Sequence, residues 1–185
     1  MAGGTVLWTS DELGSAEHCS LDVGGAGATL AGTTVLPFEG RPAHIRFSVT
    51  TDPQWRTRSV DVEIVGHRSI TVVMRVDDGA WSVDGVARPD LAGCVDADLG
   101  WTPATNTLPI RRLGLDVGES AELTAAWLRF PDLVVVPSRQ RYVREGAHAW
   151  RYLSGDHDFA LETNAHGLVT RYGDDLWVAT ATADT

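Results

Sequence analysis

Ala43-His44-Ile45-Arg46-Phe47-Ser48-Val49-Thr50-Thr51 is the stretch whose period decides the fold. In an extended chain Ile45, Phe47 and Val49 fall on one side and His44, Arg46 and Ser48 on the other, the alternation of a half-buried strand. Val60-Val65 repeats it, with Val60, Val62 and Ile64 inward and Asp61, Glu63 and Val65 outward. Ile70-Val76 follows. Asp78-Gly79 before Ala80-Trp81-Ser82-Val83 signals a two-residue hairpin, because both residues tolerate the left-handed backbone that such a turn requires. Toward the N-terminus, Thr5-Trp8 is short and apolar, Glu17-Val23 alternates, and Ala28-Phe38 is rich in small and β-branched residues up to Pro37. Gly32 inside that run predicts a bulge or bend. Thr5 to about Asp90 therefore reads as an antiparallel meander.

The C-terminal part returns to the same language. Ala121-Phe130 and Leu133-Val136 are apolar runs split by Pro131-Asp132. Gln140-Glu145, Ala149-Ser154, Phe159-Thr163 and Leu168-Tyr172 alternate, with turns at Ser154-Gly155-Asp156 and Ala165-His166-Gly167. Strands at this spacing, with almost no helix to cover them, bury an apolar face only by curling the sheet on itself. The expectation is a mainly β protein: one curved antiparallel sheet of roughly ten or more strands, forming an open half-barrel around one or two short helical segments. Residues 1–185 read as a single domain, and the small polar tail 179–185 is expected to fray.

One stretch breaks the pattern, Cys94-Val95-Asp96-Ala97-Asp98-Leu99-Gly100-Trp101-Thr102-Pro103-Ala104-Thr105-Asn106-Thr107-Leu108-Pro109-Ile110-Arg111-Arg112-Leu113. Its two prolines remove backbone donors and push Thr102 and Leu108 toward extended geometry. With Thr105 as N-cap, Pro109 would fall in the first helical turn and Gly114 just past the end. The segment then reads as a short helix plugging the curl through Leu108, Ile110 and Leu113.

Composition narrows the partners. The chain has 15 basic residues, every one Arg, against 25 acidic ones, a formal net charge of -10. That balance argues against a sequence-independent nucleic-acid binder. No apolar run reaches the length of a membrane span, and Met1-Ala2-Gly3-Gly4-Thr5-Val6 lacks the basic and apolar regions of a signal peptide, so a cytoplasmic location is expected. Cys19 and Cys94 stand in no metal-ligand spacing and read as two buried thiols, although spacing alone leaves a disulfide open. No metal site and no cofactor fingerprint is visible. Oligomeric state is not encoded in any pattern found.

The chemistry-bearing candidates gather around the plug. Asp96 and Asp98, two apart on a strand, share a face at about 7 Å, suited to a shared cation, an Arg clamp or paired acid and base work. Arg111 and Arg112 diverge by about 100° on a helix, so at most one shares a face with Leu108; the pair reads either as structural partners of Asp96 or Asp98 or as a fork gripping a sugar hydroxyl, phosphate or carboxylate. Trp55 and Thr57 alternate with Arg56 and Arg58. Trp101, Trp81, Trp55 and Tyr142 offer amphipathic platforms on which sugars or acyl chains rest. Glu17-His18-Cys19 is not a catalytic pair, because neighbours on a strand point to opposite faces.

Leu13-Gly14-Ser15-Ala16-Glu17-His18-Cys19, Trp55-Arg56-Thr57-Arg58, Asp78-Gly79-Ala80-Trp81, Leu91-Ala92-Gly93-Cys94-Val95-Asp96-Ala97-Asp98-Leu99, Thr102 through Leu113, Gln140-Arg141-Tyr142 and Gly167 through Tyr172 together resemble the bacterial glycolipid-binding family, long catalogued as a domain of unknown function. The resemblance implies an open half-barrel similar to the lipoprotein carriers of the bacterial envelope, and it supplies no catalytic residue. The function expected is non-enzymatic binding of a glycolipid or other amphiphile, with Arg56, Arg58, Asp96, Asp98, Asn106 and Arg111 meeting the head group. Trp55, Trp81, Trp101, Thr105, Arg112 and Tyr142 complete the candidate ligand-binding set. Two rivals stand beside it. One is a glycoside or ester hydrolase using Asp96 and Asp98; the other is a structural or partner-binding module whose interior is filled by its own plug.

Overall fold

A computed structural model describes residues 3–184. Met1 and Ala2, read above as part of a leaderless N-terminus, and Thr185, the end of the tail expected to fray, lie outside the described residues. The first half contains β1 (Gly4–Ser10), β2 (Ser15–Gly24), β3 (Gly27–Phe38), β4 (Arg41–Thr51), β5 (Thr57–Val65), β6 (Ser69–Asp77), β7 (Ala80–Val83) and β8 (Val86–Ala87). A 3₁₀ turn at Pro89–Leu91 leads to β9 (Asp96–Leu99), a second turn at Ala104–Asn106 and the helix α1 (Thr107–Leu113). The second half continues with β10 (Ser120–Leu128), β11 (Val135–Arg144), β12 (Ala149–Ser154), β13 (His157–Thr163), β14 (Val169–Tyr172) and β15 (Trp177–Asp184). No helix among the described residues is long and apolar enough to cross a membrane.

The fifteen strands among the described residues belong to one curved open sheet, ordered from β8 down to β1, then from β15 down to β9. The alternation read from the sequence places the core: Ile45, Val49, Val60, Val62 and Ile64 are all buried on the inner face. At the Asp78-Gly79 turn both residues adopt positive φ, 47° and 80°, and Asp84-Gly85 repeats the device at 50° and 79°. Gly32 is not a bulge, since the registers β2–β3 and β3–β4 run through it without a shift. Its role is close approach: a β-carbon there would lie 2.6 Å from the Phe47 ring. The register shifts fall elsewhere, at Leu7/Trp8, Thr50/Thr51 and Glu162/Thr163.

Two further expectations change. The sheet is not wholly antiparallel, because β9 pairs in parallel with β10 from Asp96↔Ala125 to Leu99↔Leu128. The intervening 3₁₀ turn and α1 form the crossover that a parallel pair needs. The tail is a paired strand: β15 runs against β1 from Val178↔Thr9 to Asp184↔Gly4. β14 meets β15 at only Arg171↔Val178 and Tyr172↔Trp177, so beyond Val178 the strand is held on one edge, by β1. Trp8 Nε1 donates to the Val169 carbonyl at 2.8 Å and ties the same seam.

Side chains and single backbone bonds draw the two ends of the sheet together where strands do not pair. Thr57 N donates to Val95 O at 3.2 Å, Ala97 N to Thr57 Oγ1 at 2.9 Å, and Arg88 Nη2 to Val135 O at 2.6 Å. Trp81 Nε1 donates to Cys94 O at 3.0 Å, so this indole is a strut of the core. The central stretch is thereby carried inside the curl. Leu108 and Ile110 are buried, Leu113 is half-buried, and Gly114 ends α1 in the left-handed conformation at φ 56°. Thr105 is not the N-cap, because the Ala104–Asn106 turn runs directly into α1 and the hydroxyl faces backward to β9. Cys19 and Cys94 are both buried free thiols.

Candidate functional site

β9 delivers Asp96 and Asp98 to the interior, and the two meet different fates. Asp96 is buried and clamped by Arg112, Nε to Oδ1 at 3.0 Å and Nη2 to Oδ2 at 2.6 Å. Burial raises its carboxyl above the ordinary range and the Arg112 guanidinium pulls it back. Asp98 is half-buried and meets only neutral donors: Gln140 Nε2 donates to Oδ2 at 2.7 Å and Thr105 Oγ1 to Oδ1 at 3.2 Å. Burial pushes its carboxyl up, Gln140 and Thr105 oppose the rise, and the Asp96 charge adds to it. A carboxylate offers about four lone-pair positions, so Asp98 keeps acceptor capacity for a ligand.

Beyond β9 the chain turns tightly under neighbouring aromatics. A β-carbon at Gly100 would lie 2.9 Å from Trp127 Nε1, so the indole rests on bare backbone. Thr102 Oγ1 accepts from Ala104 N at 3.0 Å and donates to Glu17 Oε1 at 2.5 Å. Thr105 Oγ1 accepts from Leu99 N at 3.2 Å, and Asn106 Nδ2 donates to Pro103 O at 3.0 Å. Tyr142 Oη donates to Asn106 Oδ1 at 2.7 Å, fixing α1 to β11. The plug is locked by hydrogen bonds at both ends.

Facing this stretch stand all three tyrosines of the chain. Tyr142 and Tyr152 have ring centroids 5.2 Å apart, Tyr152 and Tyr172 6.4 Å, and Phe159 lies 4.9 Å from Tyr172. Burial, with the Asp98 charge behind it, pushes the Tyr152 and Tyr172 hydroxyls well above the usual phenol range, so they act as neutral donors. Between the plug and the cluster lies a cavity of about 750 Å³, within the range of small-molecule sites. Asp98, Thr102 and Asn106 supply its polar inner wall, and Trp101, Trp127 and Tyr152 are among its aromatic walls. Exposed Leu13, Arg139, Asp156 and His157 stand around its outer part. The plug therefore does not fill the interior.

Of the residues singled out by sequence, Asp98, Trp101 and Asn106 line the cavity, with Thr105 and Tyr142 directly behind them. Asp96 and Arg112 form the closed pair described above. Trp81 is a core residue. Trp55, at φ 64° in the turn before β5, is half-buried and stacks under the Arg111 guanidinium at 4.9 Å, among residues other than those lining this cavity. Arg56 and Arg58 point outward, because β5 begins at Thr57 with that side chain inward; Arg58 reaches Asp52 at 3.3 Å. Glu17, Gln140, Tyr152 and Tyr172 were absent from the sequence-derived set. Glu17 is buried between Thr34 Oγ1 at 2.6 Å and Thr102 Oγ1 at 2.5 Å, and burial drives its carboxyl up to about 7 against those two hydrogen bonds. The signal that could have found Gln140 is its i, i+2 relation to Tyr142, which places both on one face of β11.

A curled open sheet around an open, aromatic-walled cavity defines a barrel-like β protein. The chain belongs to the family described as "Putative glycolipid-binding", whose family model matches residues 5–177. It is similar to the crystal structure of a DUF1089 family protein from Pseudomonas aeruginosa, with 29% identity, 90% of each chain covered and a TM-score of 0.77. It also resembles a β-barrel-like protein of domain of unknown function DUF1849 from Brucella abortus, with 9% identity over 100% of this chain and 97% of that one and a TM-score of 0.56, a likeness of fold alone. No curated protein matches.

Proposed function

We propose that this chain is a non-enzymatic binding protein for an amphiphile with a hydroxyl-rich head, a glycolipid in keeping with the family's description. The observation that carries the reading is the cavity of about 750 Å³ whose inner wall holds one carboxylate, Asp98, among aromatic rings. Sugar hydroxyls donate to Asp98 and accept from the tyrosine hydroxyls, while ring faces of the sugar and the first methylenes of the tail lie on Trp101 and Trp127. Hydrolysis by Asp96 and Asp98 is the weaker reading, because Asp96 is closed off by Arg112 and of the two only Asp98 lines the cavity.

Tryptophan fluorescence titration against paired glycolipids and sugar-free lipids, with native mass spectrometry of the purified protein, tests the proposal. Saturable binding that favours the glycosylated member is expected. Asp98→Asn weakens it about tenfold or more, the worth of a charged hydrogen bond. Absence of binding across the panel, or an Asp98→Asn variant with wild-type affinity, overturns it.

A further inference from the structure

The C-terminal end of α1 borders a second concavity of about 260 Å³, walled also by the turn after β11 and the loop between β13 and β14. Its chemistry has one sign. In a chain with 25 acidic and 15 basic residues, Arg111, Arg144 and His148 line it and no Asp or Glu does.

The two arginines are prepared differently. Arg144 is built into the wall: Nη1 donates to Leu115 O at 2.6 Å, Nη2 to Ala147 O at 3.1 Å and Nε to Gly146 O at 3.3 Å, with the guanidinium 5.5 Å from the Trp150 ring centre. Arg111 is held but not neutralised. Its guanidinium lies over Trp55 at 4.9 Å, and it has no hydrogen-bond acceptor or carboxylate partner among the described residues. Its sequence neighbour Arg112, by contrast, is fully engaged by Asp96. Gly167, at φ 81°, lets the loop rest on the Arg111 stem, where a β-carbon would come within 3.0 Å of Cδ. Asn164 Oδ1 accepts from His166 N and Leu168 N, both at 3.0 Å, which leaves the amide nitrogen as the free end. A guanidinium fixed by stacking and packing, with its donors uncommitted, matches the geometry of a tetrahedral oxyanion.

We propose that this pocket binds a phosphate or sulfate group, with Arg111 as the principal donor and Arg144, His148 and Asn164 around it. The group comes either free or as the head of an anionic lipid. The test is calorimetric titration of the full chain with inorganic phosphate at low ionic strength, against chloride at matched ionic strength. Sedimentation with phosphatidylcholine vesicles, with and without phosphatidic acid, runs in parallel. Saturable phosphate binding identifies the free anion, and phosphatidic-acid-dependent sedimentation identifies the lipid head. Either one supports the site if Arg111→Ala lowers affinity about tenfold and Arg111→Lys, which keeps charge but loses the fork, falls between. Circular dichroism establishes that both variants are folded. The exposed His148→Ala serves as a second variant and weakens binding about threefold, as befits one solvent-exposed donor. Absence of both binding events in the wild type, or binding unchanged in Arg111→Ala, overturns the proposal.

Discussion

The two halves of the sheet share hairpin architecture and present opposite interiors. In β4 and β5 the inner face is Ile45, Val49, Val60 and Ile64, all fully buried in one apolar cluster. In β11, β12 and β14 the inner face carries Gln140, Tyr142, Tyr152 and Tyr172, and the cavity lies against it. Of the residues before β9, only Leu13 lines that cavity. The difference is a division of labour: close packing in one half gives rigidity, and the other half holds polar groups at fixed positions around open space.

Substitutions break or sharpen this division. The largest effect belongs to Arg112→Ala, which strands the buried Asp96 charge inside the site half. It is expected to cost about 3–5 kcal/mol in urea unfolding, and Asp96→Leu combined with Arg112→Met recovers most of that loss. Next comes Ile45→Ala in the packed half, at about 3 kcal/mol by the same measurement. On the proposed function, its affinity in the glycolipid titration stays within about twofold of the wild type, because the division assigns Ile45 no part in the site; an affinity that fell with the stability would erase the division.

The smallest effect is one of pH. Glu17 lies on β2 in the packed half yet hydrogen-bonds Thr102 of the cavity wall, and burial holds its carboxyl up at about 7 against an ordinary 4.5. A raised acid keeps its proton longer folded than unfolded. Its stabilisation is therefore complete below pH 4.5, declines as pH rises and is gone above about 7. The total is up to about 3 kcal/mol. Asp96 and Asp98, raised in the same direction, add to the slope. Glu17→Gln removes only the Glu17 part, so the variant matches the wild type in acid and exceeds it at alkaline pH, as melting temperatures across the pH range will read.

What the sequence disclosed is what local geometry controls. Period-2 alternation in β4 and β5 and the Asp78-Gly79 turn depend on nearest neighbours, and they were legible residue by residue. The plug was legible as a segment through its prolines and Gly114, but the role of Thr105 was not, since its hydroxyl answers to Leu99 and Asp98 rather than to its own helix. The tyrosine cluster draws on three strands of the second half, and only tertiary pairing brings them together. Glu17 was legible only as one residue of an alternating strand, because Thr34 and Thr102, which close over it, lie 17 and 85 residues away. Arg56 and Arg58 sat at a strand start where the register shift at Thr50/Thr51 pairs Thr57 and Ser59 but skips Arg58, an irregularity that no residue pattern announces.

The seam between β1 and β15 sets the order of assembly. Gly4 lies opposite Asp184, so the middle of the sheet is closed by the first and last strands of the chain. During synthesis one edge of β1 stays unpaired until the strands between it and β15 exist, a long-range pairing that slows folding. The same adjacency makes the molecule suited to circular permutation: a short linker joining 184 to 4, with new ends cut at the exposed Asp84-Gly85 turn, would make the last strand a hairpin partner of the first.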